Sequence, residues 1–182
     1  MQANSNALIN EMIVLTEQAT KAVKQFKTLD PEQLNRKNSP DEWSILECIE
    51  HLNLYGDYYL PEIEKQIIAH KNGPAPELFK SGLLGNYFAE LMKEKNGKIK
   101  KMKSPADKNP AGTSLPVTTL DRFIKQQELL VSLLVQARSV NLVRARVPVS
   151  IARFIRLRLG DTFRFFVYHI ERHIRQAGSM LR

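Results

Sequence analysis

The sequence predicts an all-α fold: a four-helix bundle with a long loop and a short extra helix between its second and third long helices. Two observations carry that reading. Apolar residues recur at spacings of three and four along four separate stretches, as expected of helices that bury one face. Strand signals are nearly absent, and Leu142 to Val149 is the one β-branched run. At 182 residues the chain has the usual size of one domain with a buried core, so 1–182 is read as a single domain. Apolar residues at 43% and charged residues at 25% argue against a disordered or membrane-embedded chain.

The first helix is expected over Ala7 to Lys27, where Leu8, Met12, Leu15, Ala19, Ala22, Val23 and Phe26 form the apolar stripe. Asp30-Pro31 and Asn38-Ser39-Pro40 then break the pattern. Ser39 is read as the N-cap of the second helix, with Pro40, Asp41 and Glu42 in its first turn. That helix runs through Trp43, Leu46, Ile49, Leu54 and Tyr58 toward His70, with Pro61 expected to kink or interrupt it. Asn72-Gly73-Pro74 ends it, and a shorter helical piece covers Leu83 to Lys95. Asn96 to Pro116, rich in lysine and holding Pro105, Pro110 and Pro116, is read as a long surface loop. The third long helix starts at Thr118 or Thr119 and reaches Ala137. The last covers about Leu159 to Ala177, with Phe163, Phe166, Ile170 and Ile174 inward.

No apolar stretch approaches the ~18 residues a membrane helix needs, and MQANSNALINEM lacks the build of a secretory signal. With Cys48 the only cysteine, a cytoplasmic, reducing location is expected. The net charge of +8 is concentrated: from Arg138 to Arg182 ten arginines face only Asp161 and Glu171. Such a segment can serve an anionic small molecule, a nucleic acid or plain solvation. Nucleic acid is the weaker reading, because no stacking or groove-reading motif accompanies the charge. Arg144, Arg146, Arg153, Arg156 and Arg158 are placed near the mouth of the bundle, suited to an acidic substrate.

The histidines carry the functional argument. In His169-Ile170-Glu171-Arg172-His173 a spacing of four puts both imidazoles on one helix face, one turn apart, where they can share an ion. Phe166 lies near the same face, so both point inward and need a partner. That partner is either a metal or, on the plainer reading, a carbonyl or carboxylate. Ile170 stands where the zinc-protease signature H-E-x-x-H has its glutamate, which excludes that class. Helix two offers a third imidazole, His51, with Glu47 one turn before and Tyr55 one turn after. His70, beside Lys71 and Asn72, reads as a surface residue.

The segment WSILECIEHL, followed much later by YHIERHIRQA, resembles the DinB-like superfamily, a group of small bacterial four-helix-bundle metalloproteins. Trp43, Ser44, His51, His169, His173 and Gln176 occupy matching positions, and Gly160-Asp161-Thr162 and the approach at Pro148 are similar too. The resemblance implies a site in which His51, His169 and His173 hold one divalent metal, nickel or zinc first among the candidates. It also implies an enzyme of the thiol S-transferase type that uses a low-molecular-weight thiol such as bacillithiol. Three neutral imidazoles leave a divalent ion open to water or substrate, so thiol transfer and hydrolysis are both chemically accessible. A small-molecule substrate, anionic where the arginines meet it, is the expected partner. The alternative is a non-catalytic metal-binding or interaction bundle, and an exposed apolar stripe would allow a homodimer. Glu47, Glu50, Glu171 and Gln176 are candidates to accept the second ring N–H of the histidines, with solvated helix surface as the plainer reading of the glutamates and the preferred one for Glu171. Tyr55 is either a site residue or a packed aromatic, and Cys48 is read as buried and inert.

Overall fold

The computed structural model describes residues 1–93 and 103–181. Its long helices are α1 (Ser5–Phe26), α3 (Ile45–His70), α5 (Thr118–Gln136) and α6 (Leu159–Ser179). Shorter helices α2 (Pro31–Asn35) and α4 (Leu83–Met92) and two antiparallel strand pairs complete the described secondary structure, apart from single 3-10 turns. In the bundle α1 packs on α5 and α6, and α3 packs on the same two. Of the long helices consecutive in sequence, α1 and α3, and α5 and α6, therefore sit across the diagonal, while α3 and α5 are direct neighbours. The shorter α4 packs outside the four, against α6. No described helix is long and apolar enough to cross a membrane.

Of the predicted stripes Met12, Val23, Leu46, Ile49, Phe163 and Phe166 are all buried, and Ile63, Phe123 and Leu130 join them in the core. Helix ends differ in instructive ways. Asp30-Pro31 does not merely break the chain. The Asp30 side chain accepts from Gln33 N and the Gln33 side chain accepts from Asp30 N, a capping box that starts α2. The second long helix begins at Ile45, not near Pro40. Ser44 Oγ accepts from Glu47 N at 3.1 Å while Glu47 Oε2 accepts from Ser44 N at 2.8 Å, a reciprocal cap stronger than the lone Ser39 signal. Pro61 does not interrupt α3 either. It lies on the exposed face together with Asp57, so the carbonyl it leaves unpaired faces water.

Two strand pairs were not expected in full. β1 (Gln2–Asn4) pairs with β2 (Leu78–Lys80), and β3 (Arg146–Val149) pairs with β4 (Ala152–Arg158). The β-branched run thus supplies one arm of a hairpin whose other arm is rich in arginine and buries only Leu157. The expected α4 end, Lys95, lies outside the described residues, as do positions 96–102 of the predicted loop and Arg182. The described part of that loop, from Lys103, holds a single 3-10 turn (Ala106–Lys108) and returns to the mid-part of the bundle.

Candidate metal centre

Helix α3 presents His51 and α6 presents His169 and His173, one turn apart. All three are buried, with exposures of 3%, 5% and 8%. One ring nitrogen of each lies within 4.8 Å of the others. His51 Nε2 and His169 Nε2 are 3.2 Å apart, close to the ~3.3 Å that two imidazoles adopt on one tetrahedral ion with bonds of ~2.05 Å.

The outer nitrogens explain how two of the rings are held. The Lys108 carbonyl lies 2.6 Å from His51 Nδ1, and Gln176 Oε1 lies 2.9 Å from His173 Nδ1. Both acceptors demand an N–H at Nδ1, which leaves the Nε2 lone pair of each ring aimed inward. His169 Nδ1 is buried with no hydrogen-bond partner among the described residues. Burial keeps all three rings neutral: it lowers His51 to about 4 and His173 to about 3, and holds His169 well below the ordinary histidine range. The charge of Arg172 pushes each of them further the same way. Three neutral nitrogen donors at this spacing, with their tautomers set from outside, fit a divalent ion.

Glutamate does not serve these rings. Glu50 instead receives Arg122 at 2.9 and 3.2 Å, a link from α3 to α5, and Glu171 receives Arg175 at 2.6 Å. Glu47 acts at one remove: its Oε1 accepts from Gly112 N at 2.6 Å and pairs with Lys37 Nζ at 2.7 Å. It thereby fastens the segment that delivers the Lys108 carbonyl. No residue-type signal could have announced Lys108, since the atom used is backbone.

A cleft of ≈ 800 Å³, mouth included, reaches the three rings. Trp43, Tyr55, Tyr59, Phe88 and Phe165 wall it, Arg172 and Lys103 supply charge, and the β3–β4 hairpin adds Val149, Ser150, Ile151 and Leu157. Phe165 stacks on His169 with an interplanar angle of 6° and a centroid distance of 5.9 Å. It stands four residues before His169, a spacing that places it on the same face, whereas Phe166 turns into the core against Tyr59. Tyr55 packs 4.9 Å from His51 and 4.5 Å from His169, and burial raises its hydroxyl pKa so that it stays protonated. Cys48 lies outside the cleft, its thiol pushed up to about 12 by burial and by the Glu47 carboxylate. His70 bonds its own helix through Gln66 O.

A profile of the DinB superfamily matches residues 14–177. The chain belongs to the DinB superfamily. The match spans α3 and all but the last turn of α6, and so covers the three histidines and the cleft they line. No curated protein and no solved structure matches the chain.

Of the arginines placed at the bundle mouth, Arg144, Arg146, Arg153, Arg156 and Arg158, none lines the cleft. Arg153 lies over the Tyr58 ring, and Arg158 donates to Lys80 O. The arginine that does reach the site is Arg172, inside the His-x-x-x-His segment.

Proposed function

We propose that this DinB-superfamily protein is a metal-dependent enzyme of the thiol S-transferase or hydrolase type, with one divalent ion, nickel or zinc, held by His51, His169 and His173. The observation that carries the reading is the 3.2 Å approach of two inward Nε2 atoms in a buried cluster whose outer nitrogens already bond Lys108 O and Gln176 Oε1. When bound, the ion supplies Lewis acidity that brings the pKa of a water or thiol reaching it toward neutrality.

The protein's own groups do the rest. Lys108 and Gln176 fix the tautomers of two ligands, and neutral rings at working pH bind without first losing a proton. The aromatic wall keeps water sparse around a nucleophile, which strengthens every electrostatic contact made there. In either reaction class the nucleophile's S–H or O–H bond and the carbon's bond to its leaving group break as the new bond to carbon forms, and the proton passes to the departing group. A low-molecular-weight thiol such as bacillithiol is the co-substrate in the transferase reading, which the single-domain, cytoplasmic expectations suit.

The test is elemental mass spectrometry of tag-free protein beside a His169→Ala, His173→Ala double variant. About one equivalent of metal is expected in the wild type, the stoichiometry of a single mononuclear site, and none in the variant. A thiol-transfer and ester-hydrolysis screen of the loaded protein then follows. Metal retention with no turnover in either class would favour the non-catalytic bundle. Absence of metal even after reloading would sink the proposal.

A further inference from the structure

The cleft leaves the arginines of the β3–β4 hairpin unused, and the hairpin gathers them on one side. Val147 and Leu157 stand opposite each other and are both buried, so they mark its inner face. Side chains alternate along a strand, which puts Phe154, Arg156 and Arg158 of β4 on the outer face, with Arg146 opposite Arg158. Like charges directly opposite repel, so this pair favours an anion beside it. Arg146, Arg153 and Arg156 are all exposed, and none of them forms an ion pair among the described residues. Residues 94–102 carry one glutamate against four lysines and bring no net negative charge.

Apolar groups stand bare beside this charge. Phe154 is 90% exposed. Arg158 donates to Lys80 O and its side chain lies against Gly82, which joins the outer face to the first turn of α4. Leu83 follows at 96% exposure, with the exposed Tyr87 one turn on. Single exposed apolar residues are ordinary, but a group of them rimmed by charge marks an interaction surface. A second copy of the chain would set arginine against arginine there. A nucleic acid strand stacks its bases on aromatic rings, and Leu83 offers none. A bilayer of acidic phospholipid uses both features, because its phosphates take guanidinium while its acyl boundary takes leucine and phenylalanine alike.

We propose that the outer face of the β3–β4 hairpin, with the start of α4, docks on an anionic phospholipid bilayer. Arg146, Arg153 and Arg156 meet the headgroup phosphates, and Phe154 and Leu83 enter the acyl boundary. Docking of this kind lies on the surface and needs no spanning helix. It requires no metal either, so it stands apart from the chemistry proposed for the three histidines.

Vesicle sedimentation of the tag-free full chain tests it, with phosphatidylcholine vesicles beside mixed phosphatidylcholine–phosphatidylglycerol vesicles. Binding to the mixed vesicles alone is expected, weakening as salt rises. The Arg146→Gln, Arg156→Gln double variant is expected to bind about 25-fold more weakly, at roughly fivefold per arginine near an anionic surface. Phe154→Ser is expected to cost about tenfold at fixed salt, through lost apolar burial. All three side chains are exposed, and an unchanged urea midpoint is the control for folding. Absence of binding to the mixed vesicles, equal binding to both kinds, or undiminished binding by either variant would each overturn the proposal. A single-stranded oligonucleotide is titrated alongside. Oligonucleotide binding that Phe154→Ser abolishes, with the vesicles left unbound, would give the face to nucleic acid instead.

Discussion

The carboxylate of Glu47 is fully buried one helical turn before His51, and both of its oxygens are engaged. Oε2 closes the cap of α3 on Ser44 N, while Oε1 takes Gly112 N and Lys37 Nζ. Gly112 occupies the left-handed region at φ 81°, where a side chain is disfavoured, so the loop is shaped to present this amide. Four residues earlier in the chain, the Lys108 carbonyl meets His51 Nδ1, and Ser104 Oγ donates to the same carbonyl at 3.2 Å. The ring of His51 is thus oriented by backbone that Glu47 fastens. Glu47→Gln keeps the size of the side chain but removes its charge and one acceptor oxygen. The expected result is a zinc affinity lowered about 10- to 100-fold, the usual effect of disturbing a ligand's outer partner, with helix content retained. Competition with a chromophoric chelator measures it. Unchanged affinity would mean that packing against Trp43 and Tyr55, at 4.7 and 4.9 Å, holds the ring without the loop.

Between elements, the start of α6 is a tight joint. A Cβ on Gly160 would lie 2.6 Å from the ring of Phe79, which β2 carries and which is fully buried. Asp161 beside it accepts from Gly82 N at 2.8 Å and from Ser81 Oγ, and Arg164 reaches Asn86 at 3.1 Å and Glu90 at 2.9 Å. This buried network ties α4, and with it the Phe88 wall of the cleft, to α6. Gly160→Ala must displace the Phe79 ring and is expected to cost about 1–3 kcal/mol, the range for overpacked cores. Urea unfolding would show it as a lower midpoint at constant slope. No shift would mean that Phe79 has room to move.

The Gly160-Asp161-Thr162 run is legible in the sequence only as a likeness to the DinB-like superfamily, and the joint explains why it is there. The stripes of α1, α5 and α6 are legible because spacing of three and four records which face is buried. The shared face of His169 and His173 follows from the same geometry. That His51 lies opposite them rests on resemblance alone, since no local pattern says which helices become neighbours. The start of α3 is misread because Ser39-Pro40 and Ser44-x-x-Glu47 are competing start signals, and only the second satisfies two amides at once. The hairpin is missed because β4 mixes three arginines with Phe154, Ile155 and Leu157 in no regular alternation and leaves all but Leu157 unburied.

At the scale of the molecule, His51 and His169 stand 118 residues apart in the chain, on two helices that pack directly against each other. An ion held between them would link α3 to α6 only in the folded state, because the unfolded chain keeps His51 far from His169 and His173. Binding to the folded form alone stabilises by about 2.7 kcal/mol when free metal is a hundredfold above its dissociation constant. A chain of this size gains roughly 2–4 °C per kcal/mol. Zinc at that excess is therefore expected to raise the melting temperature by about 5–10 °C over chelator-treated protein. The same scan on the His169→Ala, His173→Ala variant is expected to show no rise, because one imidazole cannot bridge two helices. A rise of equal size in the variant would place the metal elsewhere. No rise in the wild type would leave the Nε2 pair as a hydrogen bond between two core histidines, one donating and one accepting.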